Sequence, residues 1–159
     1  MSSRIVVAAD DPGARDVREL LQQHLAFCRS CTPDEFVFAL DVDALTGPDV
    51  AFFSARTDGG ELLGVGALKR LDDDHGELKS MHTAAAARGR GVGALIVEHA
   101  LDEARRRGYC RISFETGAQG EFAPARALYR RLGFEECGRF GDYPDSGAST
   151  FMTQLTAGS

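Results

Sequence analysis

The chain has 159 residues, 43% hydrophobic and 26% charged, the proportions of one ordinary globular domain able to bury roughly two-thirds of its unfolded surface. Its formal net charge of -6 argues against a nucleic-acid partner, which calls for a basic excess, and suits attraction of cationic partners such as amines. No apolar run approaches a membrane span and no signal-peptide pattern opens the chain, so the expectation is a cytoplasmic protein with no membrane partner.

Residues 4–8 read as a short strand. Asp10-Asp11-Pro12 is a helix-start signal with the proline suited to a first turn. Val17, Leu20, Leu21, Leu25 and Cys28 follow at helical spacing, giving a helix to about Arg29. Residues 32–46 are ambiguous: Phe36, Phe38, Leu40 and Val42 alternate as in a strand, yet Pro33-Asp34-Glu35 could open a short helix. Residues 50–56, 62–71 and 77–83 read as strands of an antiparallel meander, with turns at Asp58-Gly59-Gly60 and over 72–76. A Gly-rich loop then leads into a helix over about 91–107, closed by Gly108. A strand over 110–116, a helix over about 124–132 ended by Gly133, and short strands near 134–138 and 150–155 complete a single domain over 1–159. The expected architecture is α/β, with a mixed, mostly antiparallel sheet and helices on both faces.

The loop Arg88-Gly89-Arg90-Gly91-Val92-Gly93 carries the clearest chemistry. Glycines let backbone N–H groups approach a phosphate, the helix behind adds its unpaired donors, and two arginines add charge, so the segment suits a pyrophosphate. Gly89-x-Gly91-x-x-Ala94 formally matches a dinucleotide fingerprint, but Ala84 to Ala87 separate it from the strand and too little chain follows for a doubly wound sheet. No Gly-Lys-Ser/Thr follows the glycines, which excludes a Walker-type loop. Cys28-Arg-Ser-Cys31 closes a helix rather than opening one and lacks further ligands at close spacing, so it reads as two unrelated cysteines. His24, His75 and His99 show no metal-ligand spacing, His82 is a lone strand histidine, and no metal is expected.

Arg88, Gly91 and Gly93 fit Arg/Gln-x-x-Gly-x-Gly/Ala, and Ala125-Arg-Ala-Leu128-Tyr129 through Gly133-Phe134 fits Ala-x-x-Leu-Tyr-x-x-x-Gly-Phe. In this order, with one strand between, the two segments resemble the signatures of the GNAT acetyltransferase superfamily, and the likeness in element order runs from residue 4 to 155. Residues 77–83, Gly141-Asp142-Tyr143 and 149–152 resemble a bacterial subgroup of mostly unassigned substrate. The resemblance implies a GNAT-like sheet splayed at the cofactor site. It also implies acetyl transfer from acetyl-coenzyme A, as co-substrate, to a primary amine of a small molecule or peptide, directly in a ternary complex.

Carried onto this chain, the resemblance implies that Arg88, Gly89, Arg90, Gly91, Val92, Gly93 and Ala94 hold the pyrophosphate. Backbone groups of Met81, His82 and Thr83 would hold the pantetheine arm. Glu77, eleven residues before Arg88, takes the general-base position, and Tyr129 that of the general acid toward the coenzyme sulfur. Glu115, beside Ser113 on the following strand, is a second base candidate facing the acceptor, and Asp142 and Tyr143 are candidates for lining its pocket. Arg126, Arg130 or Arg131 would meet the ribose phosphate, and Arg105-Arg106-Arg107 reads as a solvated face. Phe122 stands where many members carry asparagine, and Ala85 where many carry proline. A homodimer, common in the superfamily, is left open, as is a non-catalytic acyl-coenzyme A-binding regulatory module.

Overall fold

The computed structural model describes residues 4–31, 43–117, 120–141, 143, 147 and 149–156. Seven strands, β1 (Ile5–Ala9), β2 (Val50–Thr57), β3 (Leu62–Asp72), β4 (His75–Thr83), β5 (Arg111–Gly117), β6 (Glu135–Cys137) and β7 (Ser149–Leu155), form one sheet in the order β1-β2-β3-β4-β5-β7-β6. Three α-helices, α1 (Arg15–Cys31), α2 (Val92–Arg106) and α3 (Ala123–Arg131), and three short 3-10 turns complete the described elements. Every strand pair is antiparallel except β4–β5. The parallel pair follows from the chain itself, because α2 is the crossover that returns it to the sheet.

Alternation along the strands separates two cores. Phe52, Val65 and Ala67 turn toward α1 and meet Val17, Leu20, Leu21 and Leu45. Phe53, Leu68 and Leu78 turn the other way, against Val92, Ile96, Val97 and Ala100 of α2. Gly66 on β3 lets α2 come close: a Cβ there would stand 2.6 Å from Met81 Sδ and 2.7 Å from Ile96 Cγ2.

Several boundaries differ from those the sequence implies. Pro12 lies in a turn rather than in the helix, because Asp11 Oδ1 accepts the Gly13 N–H at 2.8 Å and α1 begins at Arg15. The β3–β4 turn is tighter than 72–76: Asp72 Oδ1 accepts the Asp74 N–H at 3.0 Å, so β4 starts at His75. Of the ambiguous stretch over 32–46, residues 32–42 lie outside the described residues, and Asp43–Thr46 is a 3-10 turn that buries Leu45. Ala85–Ala87 is likewise a 3-10 turn, so the Gly-rich loop does not directly follow a strand. The arginines closing α2 form the expected solvated face: Arg105 pairs with an exposed Asp102, and Arg106 and Arg107 with a half-buried Glu103. No described helix is long and apolar enough to cross a membrane.

Candidate active site

The parallel pairing of β4 with β5 covers only His75–Glu77 against Arg111–Ser113. Beyond the Glu77–Ser113 pair the strands part, and residues 78–83 and 114–117 border an opening in the middle of the sheet. A polar chain pins its closed end: His75 Nε2 lies 2.7 Å from Ser113 Oγ, which lies 2.8 Å from Thr153 Oγ1.

On the α2 side of this opening sits the Gly-rich loop. Gly89 and Gly91 take left-handed φ of +81° and +77°, and Gly91 starts α2 with no side chain capping it. The first amides of α2 (Val92, Gly93, Ala94) therefore keep free donors at the positive end of the helix dipole. Arg88 and Arg90 are exposed beside them, and no described acid pairs with either guanidinium. Gly93 has a different reason to be glycine: a Cβ there would stand 3.1 Å from Leu128 of α3, so the two sequence signatures pack against each other.

Tyr129 is carried into the opening's floor by α3. It is 7% exposed, stacked at 4.0 Å between ring centroids on Phe114 of β5 and edge-on to Phe134. Burial pushes its phenol above the ordinary range, so it keeps its proton at neutral pH. Phe122, in place of an asparagine, packs edge-on against Phe27 of α1 at 5.4 Å, an apolar link between the entry to α3 and α1.

The α1 face of the opening is acidic and buried. Glu77, 3% exposed, accepts a hydrogen bond from the Tyr143 hydroxyl, and Lys79 Nζ stands 3.5 Å from the same Oε2. Lys79 donates to Tyr143 Oη at 2.6 Å, closing a three-membered cluster. Burial pulls the Lys79 ammonium down while Glu77 and Glu115 hold it up. Glu115, two residues beyond Ser113 and so on the same face, accepts from Ser149 Oγ at 2.6 Å, and burial raises its carboxyl. Tyr143 packs among Phe140 and Phe151, and burial with the Glu77 charge raises its phenol. The structure thus brings Glu77, Glu115 and Tyr143 together. Asp142 lies outside the described residues.

Lys79 was not among the residues singled out by sequence, although it sits at i+2 from Glu77 and must share its face. His24 was also missed as a site residue: its Nδ1 lies 3.2 Å from Nδ1 of His82, and its Nε2 3.8 Å from the Cys28 thiol. Desolvation holds both imidazoles down at about 4, so both are neutral at physiological pH and one ring donates to the other. Among the described residues no group of three or more His, Cys, Asp or Glu is arranged to hold a metal ion.

Comparison with known proteins agrees with this geometry. Residues 16–134 match the model of the acetyltransferase (GNAT) family. The chain is 43% identical over 148 residues to the uncharacterized N-acetyltransferase YsnE of Bacillus subtilis, covering 93% of this chain and 97% of that protein. It is 42% identical to the uncharacterized N-acetyltransferase YedL of Escherichia coli, covering 92% of each. Among solved structures, one from Klebsiella pneumoniae described as an acyl-CoA N-acyltransferase superposes with a TM-score of 0.82 at 24% identity, covering 96% of this chain and 97% of that one. A sheet parted between β4 and β5, with a Gly-rich helix start on one side and buried carboxylates on the other, therefore belongs to a GNAT-family acyltransferase.

Proposed function

We propose that the protein transfers an acetyl group from acetyl-coenzyme A to a primary amine of a small molecule or peptide, directly and in a ternary complex. The observation that carries this reading is the parting of β4 from β5 at Glu77–Ser113, with anion-binding groups on one side and proton-accepting groups on the other. On the cofactor side, the N-terminal amides of α2 (Val92, Gly93, Ala94) and the loop residues Arg88, Gly89, Arg90 and Gly91 take the pyrophosphate. The unpaired edge of β4 at Met81, His82 and Thr83 takes the pantetheine arm by backbone hydrogen bonds.

Transfer requires an unprotonated amine and a proton for the departing thiolate. Tyr129, which burial keeps protonated, is the donor. The amine's proton goes to the carboxylate pair. Glu77 has one oxygen committed to Tyr143 and Lys79, whereas Glu115 is anchored only through Ser149 and its raised carboxyl is the better match for a base working near neutrality. Glu115 accordingly takes the proton, and the Glu77 charge nearby adds to the rise of its carboxyl.

Calorimetric titration with acetyl-coenzyme A and separately with NAD tests the cofactor assignment. Saturable binding of acetyl-coenzyme A, weakened by Arg88→Ala and by Gly91→Asp, is expected. NAD binding without it would overturn the reading. An amine-library screen that follows thiol release then provides the acceptor, and with it Glu115→Gln should cost about 10²–10⁴ in kcat, more than Glu77→Gln.

A further inference from the structure

The chain holds sixteen arginines and only two lysines, Lys69 and Lys79. Arginine keeps its proton in a protein, whereas lysine is a primary amine that burial can discharge, so the chain has two side chains able to act as amine nucleophiles. Both lie beside Glu77: Lys69 of β3 is its register partner, and Lys79 follows it by two residues on β4. Lys69 is half-buried, whereas Lys79 is 9% exposed. Just past Lys79 the ladder is irregular, because Val65 pairs with His82 and Ala67 with Lys79, so Gly66 alone faces Ser80 and Met81. This is a bulge, with Ser80 at a left-handed φ of +58°. Lys79 is thus the last residue of β4 in regular alternation with Glu77, and the two side chains meet on the α1 face.

The surroundings of Lys79 are those an acceptor amine requires. Its Nζ stands 3.5 Å from Glu77 Oε2, donates to Tyr143 Oη at 2.6 Å and feels the charge of Glu115, the residue read above as the base. Burial, helped by the Lys69 charge, pulls the Lys79 ammonium down against the hold of the two carboxylates, so its neutral form is closer to hand than that of a surface lysine. Position supplies the electrophile. The pantetheine arm is read to run along Met81, His82 and Thr83, and the acyl end continues toward Glu77, which brings it past Lys79. The flexible four-carbon stem of lysine lets Nζ turn from Tyr143 to that carbonyl.

We propose that the protein, when no acceptor is present, acetylates itself on Lys79 Nζ. This rests on the reading that acetyl-coenzyme A lies along β4. Glu115 takes one proton from the ammonium, and the freed lone pair attacks the thioester carbonyl carbon. A C–N bond forms as the C–S bond breaks, and the departing thiolate takes the Tyr129 proton. The nitrogen sheds a second proton as the amide forms, Tyr129 is reprotonated from solvent, and one proton is released overall. The product is an uncharged acetyl-lysine where a cation stood. Glu77 loses its buried ion-pair partner, and the acetamide fills the space an acceptor amine would enter. Self-acetylation therefore happens once per chain and closes the site.

The test needs no acceptor. The full chain is incubated with acetyl-coenzyme A alone, and intact-mass and peptide mass spectrometry locate any added acetyl group, with binding followed in parallel by calorimetry. One acetyl group on Lys79 is expected. Lys79→Arg, which keeps the charge and removes the nucleophile, should bind acetyl-coenzyme A and gain no acetyl group. Tyr129→Phe and Glu115→Gln should each slow the modification at least about tenfold. Unassisted chemical acetylation would instead favour the more exposed Lys69 and respond to neither change. A wild type that binds acetyl-coenzyme A yet carries no acetyl on Lys79, or gains it at a rate that neither variant alters, would overturn the proposal and leave the cofactor reading intact. A wild type that binds no acetyl-coenzyme A would overturn both.

Discussion

Gly66→Ala isolates the packing that sets α2 against the site. The new Cβ would lie 2.6 Å from Met81 Sδ, 2.7 Å from Ile96 Cγ2 and 3.0 Å from Phe53 Cε2. Met81 sulfur is the far part of a flexible side chain and can swing away. Ile96 Cγ2 sits on a β-branched carbon with one strongly preferred rotamer in a helix, so relief there requires α2 itself to lift. Overpacking of this kind costs about 1–3 kcal/mol, and the reduced freedom of the unfolded chain returns about 0.4–1 kcal/mol. The net loss is about 1–2 kcal/mol, which for a chain this size lowers Tm by roughly 2–8 °C. Thermal and urea denaturation measure it, with Gly47→Ala as control because nothing lies within 4 Å of a Cβ there. The double variant with Met81→Ala should be less destabilised than the sum of the singles, since the closest contact is then gone. Equal melting of Gly66→Ala and Gly47→Ala would refute the claim that β3 needs a bare backbone under α2.

The His24–His82 pair predicts a pH dependence. Both imidazoles are held at about 4 in the fold against an ordinary 6.5, so the unfolded chain binds more protons between these values. Stability should be fully present above about 6.5 and fall as pH drops toward 4, and replacing both histidines by Gln should flatten this limb of a Tm–pH profile. Tyr129→Phe should leave Tm unchanged, since no described residue bonds the hydroxyl, yet cut kcat by at least tenfold once an acceptor is in hand. Unimpaired turnover would remove Tyr129 as the acid. Arg56 donates to Asp10 at 2.9 Å and to Asp16 at 2.7 Å, tying β2 to both the end of β1 and α1. Arg56→Met should cost about 1–3 kcal/mol in chemical denaturation, because three charge-assisted hydrogen bonds, one to Asp10 and two to Asp16, are lost together.

The shape of the Gly-rich loop and its packing on α3 were legible because their parts are close in sequence. Gly89 and Gly91 are forced by positive φ, Gly93 by Leu128, and Tyr129 is the residue directly after that leucine. Each constraint acts on a residue type directly, so spacing alone reports it. The α1 face is different. Glu77, Lys79, Glu115, Tyr143 and Ser149 meet only because β4, β5 and β7 lie side by side, and nothing in the spacing from 77 to 143 announces that contact. Lys79 could have been inferred from strand alternation, His24 only from the packing of α1 on β4.

Ser80 was illegible for a third reason. The bulge appears as a mismatch in register between β3 and β4, with one glycine opposite two residues, and the residue that absorbs it is an ordinary serine. Alternation read straight through would place Met81 and His82 on the wrong faces, sending the imidazole toward α2 and away from His24. The same one-residue insertion turns His82 back to the α1 face, beside His24. Ser80→Gly, which keeps the bulge without strain, should leave the His24–His82 limb of the stability profile in place. A variant that closes the bulge by deleting Ser80 should lose that limb, and its persistence would show that His82 owes its orientation to α1 rather than to the bulge.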